Sequence, residues 1–335
     1  MKRGSCQRGA ALLTAMVIVT LVASLAAAMV WRQVRAVSIE AADRARAQAG
    51  WVLLGGLDWA RLILREDARN NQREPIDHLG EPWAVPLAEA RLSTFLAADR
   101  GQAQAGDDAA LEAFLSGSIE DAQARYNLLN VALAKDEAEL ALEQRVVERL
   151  LEGAGLSRAL AQRVVEQIRA ASRNNQDAQD APLLARQLDQ LAWYGLDADA
   201  RSKLEPWLIL LPSGGSPTRL NLNTAPREVL AAALDGMNLA LAERMVQTRK
   251  LRPFRSLDDA KSLLPEPLHA ALSPTRFDVK SEHFIVTGRL RLDERVMQQR
   301  SLLKREGLEV KLLRRERVSS LDEASTQARP PLLAP

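Results

Sequence analysis

Cysteine, histidine and aromatic side chains are scarce in this 335-residue chain, and each shortage excludes something. The one cysteine, Cys6, precedes the first long apolar run, so a product beginning at Ala10 would hold no thiol, no disulfide and no cysteine metal site. His78, His269 and His283 lie far apart with no ligand spacing, which leaves no case for a resident metal. Aromatics make up 4%, so the cores must be built from Leu, Ala and Val, a composition that favours helix. Charge excess is also missing. The formal net charge is +2, and losing Lys2, Arg3 and Arg8, which all precede Gly9, brings it to −1. A strongly basic surface of the kind nucleic acid demands is therefore absent. No phosphate loop, Ser/His/Asp arrangement or carboxylate pair at catalytic spacing occurs, so the chain reads as no enzyme, with no catalytic or cofactor-binding residue assigned. Proline is missing from Met1 to Glu74.

What is present begins with residues 10–31, which are uncharged and broken only by Thr14, Thr20 and Ser24. As a helix this run is roughly 33 Å long, enough to cross a bilayer core. Three readings compete: an ordinary transmembrane anchor, a secretory signal cut near Ala26-Ala27-Ala28, and a short basic leader cut after Gly9. A cleaved signal should be followed by a restart of structure. Here the helical pattern continues through Trp31, Arg35, Ile39, Ala42 and Ala45 towards Leu64. The spacing predicts one helix over 10–65, roughly 84 Å long. It is apolar all round first, then amphipathic, with Leu53, Leu57, Ala60 and Leu64 as a buried stripe and Gly50, Gly55 and Gly56 as expected bend points.

Pro75, Pro82 and Pro86 must end that helix. Residues 131–275 read as helices between polar or Gly/Pro breaks, with a weak internal repeat. Leu160-Ala161-Gln162-Arg163-Val164-Val165 matches Leu241-Ala242-Glu243-Arg244-Met245-Val246 at an offset of 81, which also maps Gly155 onto Gly236. Upstream, Asn127-Leu128-Leu129-Asn130 is echoed by Asn221-Leu222-Asn223, so two related helical hairpins opened by Asn-rich turns are expected. The period then changes to two. Phe284, Val286, Gly288, Leu290 and Leu292 alternate with His283, Ile285, Thr287, Arg289 and Arg291, and two more strands follow over 296–303 and 308–313, joined near Glu306-Gly307. These strands should form an antiparallel sheet against the first helix. Residues 319–335, with Pro330, Pro331 and Pro335, are expected to be disordered.

Gln7-Arg8-Gly9 followed by Ala10-Ala11-Leu12-Leu13-Thr14-Ala15-Met16 resembles the processing site of type IV pilins and type II secretion pseudopilins. The resemblance implies cleavage between Gly9 and Ala10 by a prepilin peptidase, then N-methylation of Ala10. Ordinary members carry Glu at the fifth mature position. Here that position is Thr14, a departure shared with the protein K family of type II secretion. Asp77-His78-Leu79-Gly80-Glu81-Pro82-Trp83-Ala84, and residues 117–130 ending in Asn127-Leu128-Leu129-Asn130, resemble further stretches of that family.

The resemblance implies an α+β, pilin-like fold, with a long N-terminal helix and an antiparallel sheet, split by a large all-α insertion. The expected division is a leader at 1–9, a membrane part at 10–31 and a pilin-like first part at 32–130. The helical insertion follows at 131–275, with two SAM-like or helix-hairpin-helix-like units at 131–205 and 219–275. C-terminal strands occupy 276–318 and the tail 319–335. The implied role is a minor pseudopilin at the tip of the secretion fibre, initiating and capping it. Its partners would be the other minor pseudopilins, the major pseudopilin, the prepilin peptidase and the inner-membrane assembly platform. The implied location is the bacterial inner membrane, single-pass, with a cytoplasmic N-terminus and a periplasmic bulk.

A different class competes on other residues. Leu234-Asp235-Gly236-Met237 after Leu220-Asn221-Leu222-Asn223-Thr224-Ala225 resembles a helix-hairpin-helix DNA-binding module, whose Gly-x-Gly turn offers N–H groups to a phosphate. Asn238 stands at the second glycine position and Asp235 adds negative charge, so no nucleic-acid partner is expected. A plain anchored periplasmic scaffold is the remaining alternative. Asp107-Asp108 and Asp258-Asp259 could attract Ca²⁺, although loop or helix-start acids explain them as well. The basic C-terminal stretch containing Arg300, Lys304, Arg305, Lys311, Arg314, Arg315 and Arg317 reads as a charged sheet edge that blocks aggregation.

Overall fold

The computed structural model describes residues 8–92, 113–172, 182–212, 214–292 and 295–318. It divides into two compact units, Met1–Gly55 and Gly56–Pro335, which are described in turn. One helix, α1 (Arg8–Asn70), supplies the whole described part of the first unit. None of Gly50, Gly55 and Gly56, the expected bend points, interrupts it. It also runs five residues past the expected end at 65. Proline is absent until Pro75, and i,i+3 ion pairs Arg61–Asp58 (3.0 Å) and Arg69–Glu66 (3.0 Å) support the last turns.

The second unit is built on one five-stranded antiparallel sheet, in the order β1-β2-β7-β8-β9. Its strands are β1 (Leu87–Arg91), β2 (Ala113–Asp121), β7 (His283–Leu292), β8 (Arg295–Glu306) and β9 (Glu309–Val318). The last two are longer than the spacing predicts because Glu306-Gly307-Leu308 makes a tight hairpin, with Gly307 at φ 60°, and the ladder runs up to it. In the β2–β7 ladder, Asp121 stands opposite Phe284. Everything from 122 to 282 thus leaves and re-enters the sheet at neighbouring positions, so a large insertion does not disturb the strand order. Gly117 faces Gly288 in the same ladder, and a Cβ at Gly117 would lie 2.7 Å from the Thr287 carbonyl oxygen. Only glycine fits there.

The two faces of the sheet are covered differently. Leu115, Phe284, Leu290, Leu303 and Val310 are buried, as are Leu57, Ala60 and Leu64 of α1. Arg61 ties α1 to β9 through two hydrogen bonds to the Val310 carbonyl (3.0 and 2.8 Å), and Trp83 meets the Phe284 ring edge-on at 5.4 Å. On the other face Ile285 and Leu302 form a small cluster with Ala122, Ile209 and Leu211, which belong to the insertion.

The insertion repeats one plan. Its first half runs from β3 (Tyr126–Asn127) through helices α2 (Glu137–Gly153), α3 (Arg158–Ser172) and α4 (Ala198–Leu204) to β4 (Leu208–Ile209). Its second runs from β5 (Leu220–Asn221) through α5 (Arg227–Ala233), α6 (Leu239–Leu251) and α7 (Leu257–Lys261) to β6 (Phe277–Asp278). Each half is closed by a two-residue parallel pair, β3 with β4 and β5 with β6. These pairings carry the helical region out to Tyr126 and Asp278, beyond the expected limits of 131 and 275, because dipeptide strands leave no periodicity to read. The offset of 81 is structural. Ala161 and Ala242 are both fully buried, Val164 and Met245 likewise, and Gly155 and Gly236 both take positive φ, 77° and 84°. One apolar cluster, from Tyr126 to Val279, runs through both halves.

Candidate functional site

Residues 11–39 carry no core. Every large apolar side chain from Leu12 to Ile39 is more than half exposed. In water that much apolar surface is unfavourable, at roughly 25 cal/mol per Å². Among the described residues this is the one helix long and apolar enough to cross a membrane. Its few hydroxyls are turned inward on the backbone: Thr14 donates to the Ala11 carbonyl (3.0 Å), Thr20 to those of Met16 and Val17 (3.0 and 2.9 Å), and Ser24 to that of Leu21 (2.9 Å). Such back-bonding satisfies polar groups without water and suits a lipid surround. Gly9 and Ala10 fall within the first turn of α1.

A second constellation sits where the insertion joins the sheet. Asp121, at the end of β2, is fully buried. One carboxylate oxygen accepts from the Gln123 N–H (2.7 Å). The other accepts from Asn221 Nδ2 (2.9 Å), Thr224 Oγ1 (2.5 Å) and Ser281 Oγ (2.6 Å). Burial raises its pKa, against the pull of those hydrogen bonds. Beside it, Arg305 of β8 grips Asp77 (2.6 and 2.7 Å) and Asp67 of α1 (2.7 Å) and lies over the Phe284 ring. Glu81 joins the same group, held by Asn71 Nδ2 (2.7 Å), the His78 N–H (2.8 Å) and Trp83 Nε1 (2.7 Å). One guanidinium faces three carboxyls, so the cluster favours holding a proton. Burial pushes Asp77 up to about 7, and burial with the Glu81 charge pushes Asp67 up to about 6, in each case against the attraction of Arg305.

The Asn-rich turns are explained by two-pronged amide bonds. Asn127 pairs with both the N–H and the C=O of Leu211, Asn130 with those of Thr218, and Asn223 with those of Phe254. Asn221 donates instead to Asp77 O, Asp121 and Ser281 Oγ, joining the second repeat to the charge cluster. Three segments singled out in the sequence, 77–84, 117–130 and 220–224, thus meet at one place. Arg300, Lys304 and Arg305 were misread as edge residues, since all three stand on β8, between β7 and β9, and Arg305 departs furthest from that reading. It does not lie on a charged edge but is buried, with a side chain 10% exposed against Asp77 at 1%. The only available signal was a lone arginine next to the Glu306-Gly307 turn, which does not mark burial. The charged-edge reading suits β9, which carries Lys311, Arg314 and Arg315 at the sheet margin.

In the first hairpin turn the N–H groups are spent within the turn itself. After α2, the Gly155 N–H donates to the Glu152 carbonyl (2.9 Å) and the Leu156 N–H to that of Leu151 (2.9 Å), a helix C-cap. In the second turn Asp235 is paired with Arg149 and with Arg145 (3.4 Å), which holds its carboxyl below the usual range. Asn238, at the second glycine position, caps α6 by accepting from the Leu241 N–H (2.8 Å). The acid pair Asp258-Asp259 is also engaged, Asp258 with Lys261 (2.8 Å) and Asp259 with the Arg255 N–H (2.9 Å) at the start of α7. Asp107-Asp108 lies outside the described residues. The carboxylate oxygens of Asp67, Asp77 and Glu81 lie within 4.8 Å of one another, but Arg305, Asn71 and Trp83 already serve them.

An α+β subunit on a helix that fits a transmembrane anchor, with a helical insertion on the free face of its sheet, is the class these features define. The sequence profile of the family described as Type II secretion system (T2SS), protein K matches residues 220–280, the second repeat. The Type II secretion system protein K of Pseudomonas aeruginosa is 28% identical over 316 residues, 88% of this chain and 87% of that protein. Its counterpart in Pectobacterium carotovorum is 26% identical over 338 residues, 93% of this chain and 97% of that one. Among solved structures, a chain of the GspK–GspI–GspJ complex from enterotoxigenic Escherichia coli shares the fold, with TM-score 0.61 at 20% identity over 83% of this chain and 99% of that chain. Over most of its length the chain is similar to the type II secretion system protein K family.

Proposed function

We propose that this chain is a minor pseudopilin, a structural subunit that initiates and caps the secretion fibre at its tip. It would assemble there with two other minor pseudopilins, above the major pseudopilin, in export across the outer membrane. The observation that carries the reading is Thr14, whose hydroxyl is satisfied by its own helix. In pilin-like fibres an acid at the fifth mature position of an incoming subunit pairs with the amine of a subunit already in place. An isolated charge in lipid is costly, so that pairing matters. A subunit that enters first meets no earlier amine, and a self-satisfied hydroxyl then carries no penalty. The two-repeat insertion, SAM-like in plan, enlarges the head in a way that suits a terminal position better than a stacked one. The inner membrane, with residues 10–31 spanning and the bulk in the periplasm, is the matching location.

The leader is tested by the N-terminal residue of the mature protein. Mass spectrometry should find methylated Ala10, and Gly9→Val should leave the chain at precursor length. A start at Met29, or no cleavage, overturns the assignment. Position is tested by immunogold labelling, which should mark one end of the fibre; decoration along its whole length contradicts the tip role. Nucleic-acid binding is the competing class, and sub-micromolar, salt-sensitive gel shifts would favour it.

A further inference from the structure

Between the apolar run of α1 and Ala49, the first core residue on that helix, stand four arginines of two kinds. Arg44 is bound to Glu40 (2.9 Å) and Arg46 to Asp43 (3.1 Å). Arg32 and Arg35 have no such partner. Glu40 is the first acid in the chain, and neither arginine makes an ion pair or a side-chain hydrogen bond among the described residues. Both are exposed, and at a spacing of three they project from one side of the helix. The opposite side carries Val30, Val34 and Val37, each at least 60% exposed.

Their depth names the partner. As a helix, residues 10–31 are roughly 33 Å long, against about 30 Å for the hydrocarbon core of a bilayer. Trp31, 74% exposed, then stands at the hydrocarbon boundary, the level where tryptophan rings settle. Arg35 lies about 6 Å further along the axis, and the headgroup layer reaches about 5–7 Å beyond the core. A guanidinium there meets phosphate oxygens, which its planar fork can engage two at a time. We propose that Arg32 and Arg35 bind the headgroups of anionic phospholipids in the leaflet at the C-terminal end of the span, with Trp31 fixing the depth. Anionic lipids are favoured because two cations without a counter-ion attract a net negative surface, roughly fivefold for each arginine. The inference rests on the reading of 10–31 as a span and not on a position at the fibre tip. It gives the anchor a defined depth and a lipid preference, and a subunit drawn out of the membrane must break these contacts.

The test reconstitutes the full chain into vesicles of phosphatidylcholine with a minor share of phosphatidylglycerol. Native mass spectrometry after mild detergent extraction then measures which lipid stays bound. Arg32→Gln combined with Arg35→Gln should lower phosphatidylglycerol retention at least tenfold while the chain stays inserted. Lys2, Arg3 and Arg8, at the other end of the span, are the same in both proteins. A control that removes both ion pairs further along the helix, by Glu40→Gln, Asp43→Asn, Arg44→Gln and Arg46→Gln, should leave retention unchanged. Retention that survives the loss of Arg32 and Arg35, or that falls as far in the control, overturns the proposal and leaves the span standing. A wild-type chain that washes off the vesicles in alkaline carbonate has no span, and overturns the proposal and the anchor reading together.

Discussion

Asp121 shows what a single side chain can decide in this molecule. It is fully buried and accepts from four donors that arrive from the strand end, the second repeat and the approach to β7. Asp121→Ala would strand those donors together, and we expect a loss of about 3 kcal/mol, read by denaturant or thermal melts. Asp121→Asn keeps two acceptor directions and should cost less. The neighbouring group gives a pH dependence. Asp77 and Asp67 sit above their ordinary value of 3.8, at about 7 and about 6, so the folded chain holds protons there that the unfolded chain has released. Stability from this group is therefore full below about pH 4, falls as pH rises through 6 and 7, and levels off above that. Melts between pH 5 and 8 should show the decline, and Asp77→Asn should flatten it. A slope of opposite sign would mean that Arg305 keeps both acids ionised. Of this cluster, only the segments containing Asp77, Asp121 and Asn221 drew notice in the sequence. Arg305 did not, because burial of a strand arginine depends on what lies across the sheet.

The repeat gives a comparison at the scale of an element. Gly155 and Gly236 close equivalent hairpins with equivalent left-handed backbones, a conformation that costs other residues about 1–2 kcal/mol. Their surroundings differ. A Cβ at Gly155 meets nothing within 4 Å, whereas at Gly236 it would lie 3.1 Å from Leu268 Cδ2. Gly155→Ala should thus cost about 1 kcal/mol, and Gly236→Ala clearly more, measured side by side in thermal melts. Gly117→Val is expected to be harsher still, since its obstacle is a backbone oxygen in the middle of the ladder; loss of sheet signal in circular dichroism would register it. The offset of 81 was visible in the sequence because buried helix positions must repeat their residue class. The dipeptide strands that close each repeat were not, since two residues carry no period.

At the scale of the whole molecule, the insertion is nearly self-contained. Its apolar cluster runs from Tyr126 to Val279 and includes no residue of the five-stranded sheet. A fragment spanning 125–280 should therefore fold alone, with a helical circular dichroism spectrum and a cooperative melt. A fragment that is unstructured would show that the sheet face, through Ile285 and Leu302, is needed to complete it.

The chain's own residues settled the long helix, the two related hairpins and the terminal strands. Each rests on local periodicity, a missing proline or a short spacing, and such signals lie within a few residues of one another. The tertiary structure alone decided that β2 and β7 are neighbours across the insertion, that Arg305 is a buried counter-ion, and that Asp67, Asp77, Asp121 and Asn221 share one polar junction. Those facts join residues between 10 and 238 positions apart in the chain. No periodicity spans such separations; only the packing of α1 and the insertion on opposite faces of one sheet brings them within hydrogen-bond reach.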